Sequence, residues 1–303
     1  MKRKVIQIAN STQLISLPRT WTKKHNIIKG QEVNVEEVGE NVVVSTESVP
    51  KLQTAEIDIG SFDDIIKRYV YALYQKGIDE IKISFSKPQS ADKIREAIGT
   101  HKGLEILDQT SKYIILKNIW GNIEEFDLIL KRCFHTLITM ADQMLEALRQ
   151  GDSDALKMAV LMEESNDILT MMCRRILNKG HESSPRVGPL YTITVELERL
   201  ADQYKHSSQY LLKVKNEIKI RKDVLNIFEK TNNALRTYYN LFYKFENEGV
   251  TKLKNETLGI IDESIKALNL KNITPQETIL LFNCVDVCDR LFGSVGNIII
   301  LNV

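Results

Sequence analysis

The chain has few of the residues that mark covalent stapling or specialised chemistry. Its four cysteines, at 133, 173, 284 and 288, form no Cys-x-x-Cys pair and fall inside helical patterns. Small buried thiols are therefore expected, not a disulfide framework or a thiolate zinc site. Fourteen glycines and six prolines in 303 residues are too few for a collagenous or low-complexity chain, and 43% hydrophobic with 27% charged residues describes an ordered one. No run approaches the roughly eighteen uninterrupted apolar residues of a membrane-spanning helix. Met1-Lys2-Arg3-Lys4 leads into strand-like alternation instead of an apolar signal segment, so a cytoplasmic protein without membrane insertion is expected. The phosphate-cradling Gly-x-x-x-x-Gly-Lys-Ser/Thr loop, the Gly-x-Ser-x-Gly elbow and the His-Glu-x-x-His zinc motif are all missing. The histidines, His25, His101, His135, His181 and His206, are scattered, and only His206 stands one turn beyond an acid, Asp202. No enzyme is indicated.

Charge of one sign is also scarce overall, at a formal net of +1, but the average conceals a segregation. Residues 1–31 hold seven basic side chains (Lys2, Arg3, Lys4, Arg19, Lys23, Lys24, Lys29) and no acid, whereas 32–50 hold five glutamates and no base. Positive potential is thereby focused on one stretch, which is what a polyanion would meet.

A chain of 303 residues exceeds the usual size of one core, so two or three domains are expected. Residues 1–50 read as four short strands (Val5 to Ile8, Leu14 to Leu17, Val33 to Val35, Val42 to Val44) around a helix at about 19–25 opened by Pro18. Asn10-Ser11-Thr12 and Gly39-Glu40-Asn41 suit hairpin loops, and Gly30 suits a left-handed helix end. So small a unit buries too little to be secure alone, and pairing with a second copy is the expected remedy. After Ser48-Val49-Pro50-Lys51, residues 51–120 read β-α-β-α-β-β, a small α/β module with Ser61 and Pro88-Gln89-Ser90 introducing its helices. Residues 121–303 read as six long helices, at about 122–149, 153–178, 187–216, 222–247, 251–270 and 275–300. Short links make antiparallel neighbours, so two successive three-helix bundles, about 121–220 and 221–303, are expected. The fold class is thus multidomain α+β.

Two stretches resemble known families. Leu14-Ile15-Ser16-Leu17-Pro18-Arg19-Thr20-Trp21, followed by Ile27 through Val35, resembles the AbrB/SpoVT family of swapped-hairpin DNA-binding domains, with Gln31-Glu32 in place of the common Asp. The resemblance covers 1–47 and implies a β-barrel interleaved from two chains, presenting Lys2, Arg3, Lys4, Arg19, Lys23 and Lys24 to DNA. The alternative is that these side chains merely solvate a dimerisation module.

The helical part resembles the PhoU family of phosphate-signalling proteins, archaeal members of which join these parts. Glu163-Glu164-Ser165-Asn166-Asp167 and Glu196-Leu197-Glu198-Arg199-Leu200-Ala201-Asp202 carry the resemblance, the latter close to a Glu-Arg-Ile-x-Asp signature. A spacing of four stacks Glu163 with Asp167, and Glu198 with Asp202, on one helix face each. Clustered carboxylates repel, which a hard cation such as Mg, Mn or Fe relieves; the family resemblance implies such a divalent or trivalent metal, Zn included, at Glu163, Asp167, Glu198 and Asp202. Isolated Glu-x-x-x-Asp spacings also arise on solvated helices. Arg174 and Arg199 are expected to pair with acids. In the second bundle Asp286-Val287-Cys288-Asp289-Arg290-Leu291-Phe292-Gly293 aligns with the signature but ends on glycine, and Asp262 and Glu263 offer only a loose partner, so a second metal site is not expected.

The combined expectation is a dimeric or larger DNA-binding regulator of phosphate-responsive transcription. An alternative is an adaptor for phosphate transporter components or a signalling kinase that does not bind DNA. A carboxylate-bridged metal hydrolase is weaker, since no nucleophile or base accompanies the acids.

Overall fold

A computed structural model describes the chain except residues 1, 9–11, 39–40, 47–51, 61–64, 100–102, 121–124, 181–183 and 215–216. Outside the described residues lie Asn10 and Ser11, Gly39 and Glu40, the stretch Ser48 to Lys51, Ser61, His101 and His181. The chain forms two units, Met1–Lys51 and Leu52–Val303.

In the first unit β1 (Ile6–Ile8) and β2 (Thr12–Leu14) pair antiparallel with Ile6 opposite Leu14, and β3 (Asn34–Val38) and β4 (Asn41–Ser45) pair antiparallel with Val35 opposite Val44. They are separate two-stranded sheets. The second strand lies earlier than 14–17, because the chain from Ile15 must already run toward Pro18, whose extended backbone (ψ 125°) stands just before α1 (Arg19–Lys24). Gly30 is left-handed (φ 86°) but does not end the helix. Asn26 does, at φ 52°, with Ile27 N donating to Thr22 O at 2.9 Å and Asn26 N to Lys23 O at 3.3 Å, a Schellman closure.

The second unit holds two hydrophobic cores. In the first, β5 (Thr54–Asp58) and β6 (Glu80–Ser84) are parallel, as a helical crossover requires, and β8 (Tyr113–Asn118) and β7 (Leu104–Gln109) complete an antiparallel extension in the order β5-β6-β8-β7. Ile81 opposite Leu116 and Ile83 opposite Ile114 are buried on one face, covered by Ile66, Val70 and Tyr74 of α2 (Ile66–Lys76) and by Ala91 and Ile94 of α3 (Gln89–Gly99). Gly77 ends α2 at φ 101°, a conformation glycine adopts without strain.

The second core joins α4 (Phe126–Gln150), α5 (Ser153–Gly180), α6 (Val187–Lys213), α7 (Lys222–Tyr243), α8 (Asn247–Leu268), α9 (Pro275–Gly293) and α10 (Val295–Asn302). α4, α5 and α6 pack on one another, as do α7, α8 and α9, and the two sets meet through α4 with α7 and α6 with α9. Phe134 of α4 lies among Tyr238, Tyr239, Phe242 and Tyr243 of α7, with centroids 4.9–6.1 Å apart in this aromatic cluster. The break expected at Gly249 lies earlier: Glu246 is extended, its carbonyl takes Gly249 N and Val250 N, and Gly249 sits inside α8 where Leu241 packs closely over it. The last expected helix is interrupted at Ser294, whose hydroxyl donates to Tyr238 at 2.9 Å inside the core. Thr274, Pro275 and Glu277 open α9 with a capping box. Among the described residues no helix is long and apolar enough to cross a membrane.

Candidate functional site

Lys2, Arg3 and Lys4 precede β1 on exposed backbone, and Arg19, Lys23 and Lys24 are exposed on α1. The other described residues of the first unit are exposed or, as at Leu17, Trp21, Ile27, Val33 and Val44, half-buried. No described side chain of residues 1–51 is buried within the chain, although Val5, Ile6, Ile8, Leu14, Ile15, Ile28, Val35, Val42 and Val43 are large and apolar. A two-stranded hairpin is marginal in water, and two of them with a six-residue helix and no interior lack the burial that would hold them folded.

The acidic residues of the helical part are positioned by regular helix geometry. Ile193, Leu197, Leu200, Ala201 and Tyr204 turn the apolar stripe of α6 into the core, which leaves Glu198 and Asp202 on the adjoining stripe toward α5. There they meet Glu163 and Asp167, one turn apart on α5, so the four carboxylates share one neighbourhood. Two cations share it as well. Lys205 Nζ lies 3.0 Å from Glu163 Oε1 and 2.6 Å from Asp202 Oδ1, and Arg174 Nη2 lies 2.5 Å from Glu198 Oε2. Arg174 is steadied by its own helix, donating to the backbone and hydroxyl oxygens of Thr170 at 3.3 Å.

Burial raises the Glu163 carboxyl despite the opposing pull of Lys205, with Asp202 adding to the rise. Asp167 is pushed up to about 6, chiefly by burial and then by the charges of Glu198 and Glu163, with Arg174 opposing. At Lys205 burial works against the charge, but the hydrogen bonds to Asp202 and Glu163 outweigh it and raise the ammonium. Arg199 pairs instead with Glu196 at 2.8 Å, at the surface. Among the described residues no three His, Cys, Asp or Glu side chains are grouped so that they could hold a metal ion.

A neighbouring face of α5 makes a second set of contacts, which motif reading alone did not identify. Met171, Arg175, Asn178 and Lys179 follow helical spacing and reach the α/β module. Met171 enters its core. Arg175, buried, donates from Nη1 to Tyr74 O at 2.8 Å and Ile78 O at 2.7 Å, pairs with Asp79, and lies 4.7 Å from the Tyr74 ring centroid. Asn178 donates to Gln75 O at 2.7 Å and Lys179 to Asp79 at 2.7 Å. The Asp79 carboxyl is held below its usual range: burial alone would raise it, and the hydrogen bonds from Lys179 and Gln53 N outweigh that. The Tyr74 carbonyl, which also takes Gly77 N, and the Ile78 carbonyl just beyond α2 thus find a guanidinium from another element. A signal was present in the sequence, two adjacent arginines on a helix otherwise apolar at that turn, but not their destinations.

Elsewhere, in the second three-helix set, Asp286 pairs with Arg290 at 2.7 Å and Asp262 with Lys266 at 2.5 Å along their own helices, and Glu263 of α8 pairs with Lys230 of α7 at 2.7 Å. Gly293 borders a cleft of about 340 Å³ with Thr192, Glu196, Asp289, Arg290 and Ser294. His206 is exposed and stacks on Tyr210, and His135 lies 3.3 Å from the Tyr239 hydroxyl. Cys133, Cys173, Cys284 and Cys288 are free and buried. No protein-family model, curated protein or solved structure matches the chain.

Proposed function

We propose that this chain is a DNA-binding regulator that works as a dimer through its first unit, with the helical part of the second unit as its sensing domain. The reading rests on one observation: a segment with nine exposed large apolar side chains and no buried one among its described residues, and with no acid before Glu32. Those apolar residues need a cover, and a second copy supplies one of matching chemistry, since strands from two chains can complete a single closed core. Doubling the segment also doubles its cationic stretch to fourteen charges, twice the seven of one chain, a density suited to the phosphates of a duplex. The swapped-hairpin barrel implied by the AbrB/SpoVT resemblance is one way to build this dimer. The PhoU resemblance adds the effector class, phosphate, and makes the output transcription of phosphate-responsive genes.

Catalysis is not part of the reading, and neither is a metal cofactor. Lys205 and Arg174 already pair with three of the four carboxylates, Glu163, Asp202 and Glu198, on which hydrolytic chemistry would depend. The test is a gel shift of short genomic fragments with the full chain, with and without inorganic phosphate, alongside its sedimentation mass. Retention of a subset of fragments by a dimer or larger species, altered by phosphate, is the expected outcome. A dimer that retains no fragment transfers the function to an adaptor of transporter or kinase partners.

A further inference from the structure

The metal that the PhoU resemblance implies must be fitted to Glu163, Asp167, Glu198 and Asp202, and as arranged these residues do not fit it. A hard divalent ion takes about six to eight oxygens, or fewer with water, at roughly 2.0–2.6 Å. Here Lys205 bridges the carboxylates of Glu163 and Asp202, and Arg174 crosses to Glu198. An incoming ion would have to expel both cations to gather the four acids, yet neither is a loose surface charge. The Arg174 side chain is 8% exposed and the Lys205 side chain 20%.

We propose that Lys205 and Arg174 are the resident cations of this cluster, standing where the resemblance implies a metal, so that it braces α5 against α6 without any metal. Two features of the arrangement support this. First, each cation crosses between helices: Lys205 of α6 reaches Glu163 of α5, and Arg174 of α5 reaches Glu198 of α6. The pairing is reciprocal, as a brace requires, whereas a lysine that only solvated the surface would turn outward. Second, the donors are matched to the acceptors. The ammonium, with three divergent hydrogens, takes the site between two carboxylates, and the planar guanidinium lies along its own helix, anchored on Thr170, with one edge free for Glu198. Cationic side chains fixed in this way are always present, whatever the metal supply. Any response of the sensing domain must therefore begin elsewhere than in metal uptake here.

Lys205→Met, which keeps the aliphatic stem and removes the charge, tests this on the full chain, with Mn²⁺ as the probe. Bound Mn²⁺ is counted by electron paramagnetic resonance, and melting is followed in chelator and in Mn²⁺. The wild type is expected to bind no stoichiometric Mn²⁺ at this cluster and to melt at the same temperature in both. K205M should melt lower in chelator, recover with Mn²⁺, and bind it at least about tenfold more tightly than the wild type. The double variant K205M/D202N should lose that gain. Should K205M fail to fold, the wild-type measurement and Lys205→Arg decide the matter, since K205R keeps the charge and should stay indifferent to Mn²⁺. A wild-type protein that takes up one Mn²⁺ with a rise in melting temperature lost in D202N overturns the proposal. So does a K205M variant with unchanged melting, or one whose loss is not restored by Mn²⁺. DNA retention is read in a separate assay, so either result leaves the reading of the first unit standing or falling on its own.

Discussion

Replacing Asp167 with asparagine should make the protein more stable at neutral pH. Asp167 is the member of the acidic cluster bridged by neither Lys205 nor Arg174, and it faces Glu163 on its own helix and Glu198 and Asp202 on α6, with Arg174 opposing. Its carboxyl rises from 3.8 to about 6 on folding. A rise of that size corresponds to about 3 kcal/mol between the two protonation states. The sign follows from proton binding. A carboxyl with a raised folded pKa binds more protons in the native state, so its contribution is most favourable below pH ~4 and is lost as pH rises through 6. The amide is neutral throughout and keeps the shape of the side chain. That figure already includes the opposing pull of Arg174, and the half-buried amide keeps part of the desolvation cost, which leaves a net of about 1–2 kcal/mol at pH 7. For a unit of this size that raises the melting temperature by about 3–6 °C. Scanning calorimetry at pH 7 and at steps down to 4 should show D167N melting higher at neutrality, with the advantage shrinking as the pH approaches 4. Destabilisation of D167N at pH 7, or a gain indifferent to pH, would refute the account of the cluster as crowded with buried negative charge.

Further outcomes follow from the buried polar contacts. Arg175→Met removes a buried guanidinium from Asp79 and from the carbonyls of Tyr74 and Ile78, and should cost about 3–5 kcal/mol, read as lower melting and faster amide exchange at the end of α2. Tyr204→Phe deletes the hydroxyl that donates to Asn232 at 2.9 Å in the core, leaving that oxygen unpartnered, and should cost about 1–3 kcal/mol in chemical denaturation at unchanged slope.

The helical part was the most legible in the sequence, because its apolar positions recur at the helical period over twenty residues or more and the links between helices are short. Two boundaries moved. The Glu246 carbonyl takes Gly249 N and Val250 N, so that glycine lies within α8, beside Leu241, and the last helix breaks at Ser294, whose hydroxyl bonds Tyr238. The alternation of Ile81, Ile83, Ile114 and Leu116 likewise marked the buried face of the sheet. Spacing brought Glu163, Asp167, Glu198 and Asp202 to facing stripes of two helices, as four-residue periodicity allows. What spacing could not give was the partner of each charge. Lys205 lies one turn beyond Asp202 and reads as an ordinary helical lysine until α5 is packed beside it. Arg175 differs from Arg174 by one position, and that turn of about 100° around the helix sends one to the acids and the other to the α/β module.

The central claim, that the first unit binds duplex DNA as a dimer, is tested most directly by the salt dependence of that binding. With fourteen basic side chains in a dimer, seven from each chain, and about half of them on phosphates, log affinity against log salt should fall with a slope of roughly −6. The full chain titrated onto a labelled duplex across a range of potassium chloride concentrations gives that slope by fluorescence anisotropy. Replacing Arg19, Lys23 and Lys24 together with alanine should flatten it while the sedimentation mass stays dimeric. A dimer whose binding to every duplex tried is absent, or does not change with salt, would contradict the claim.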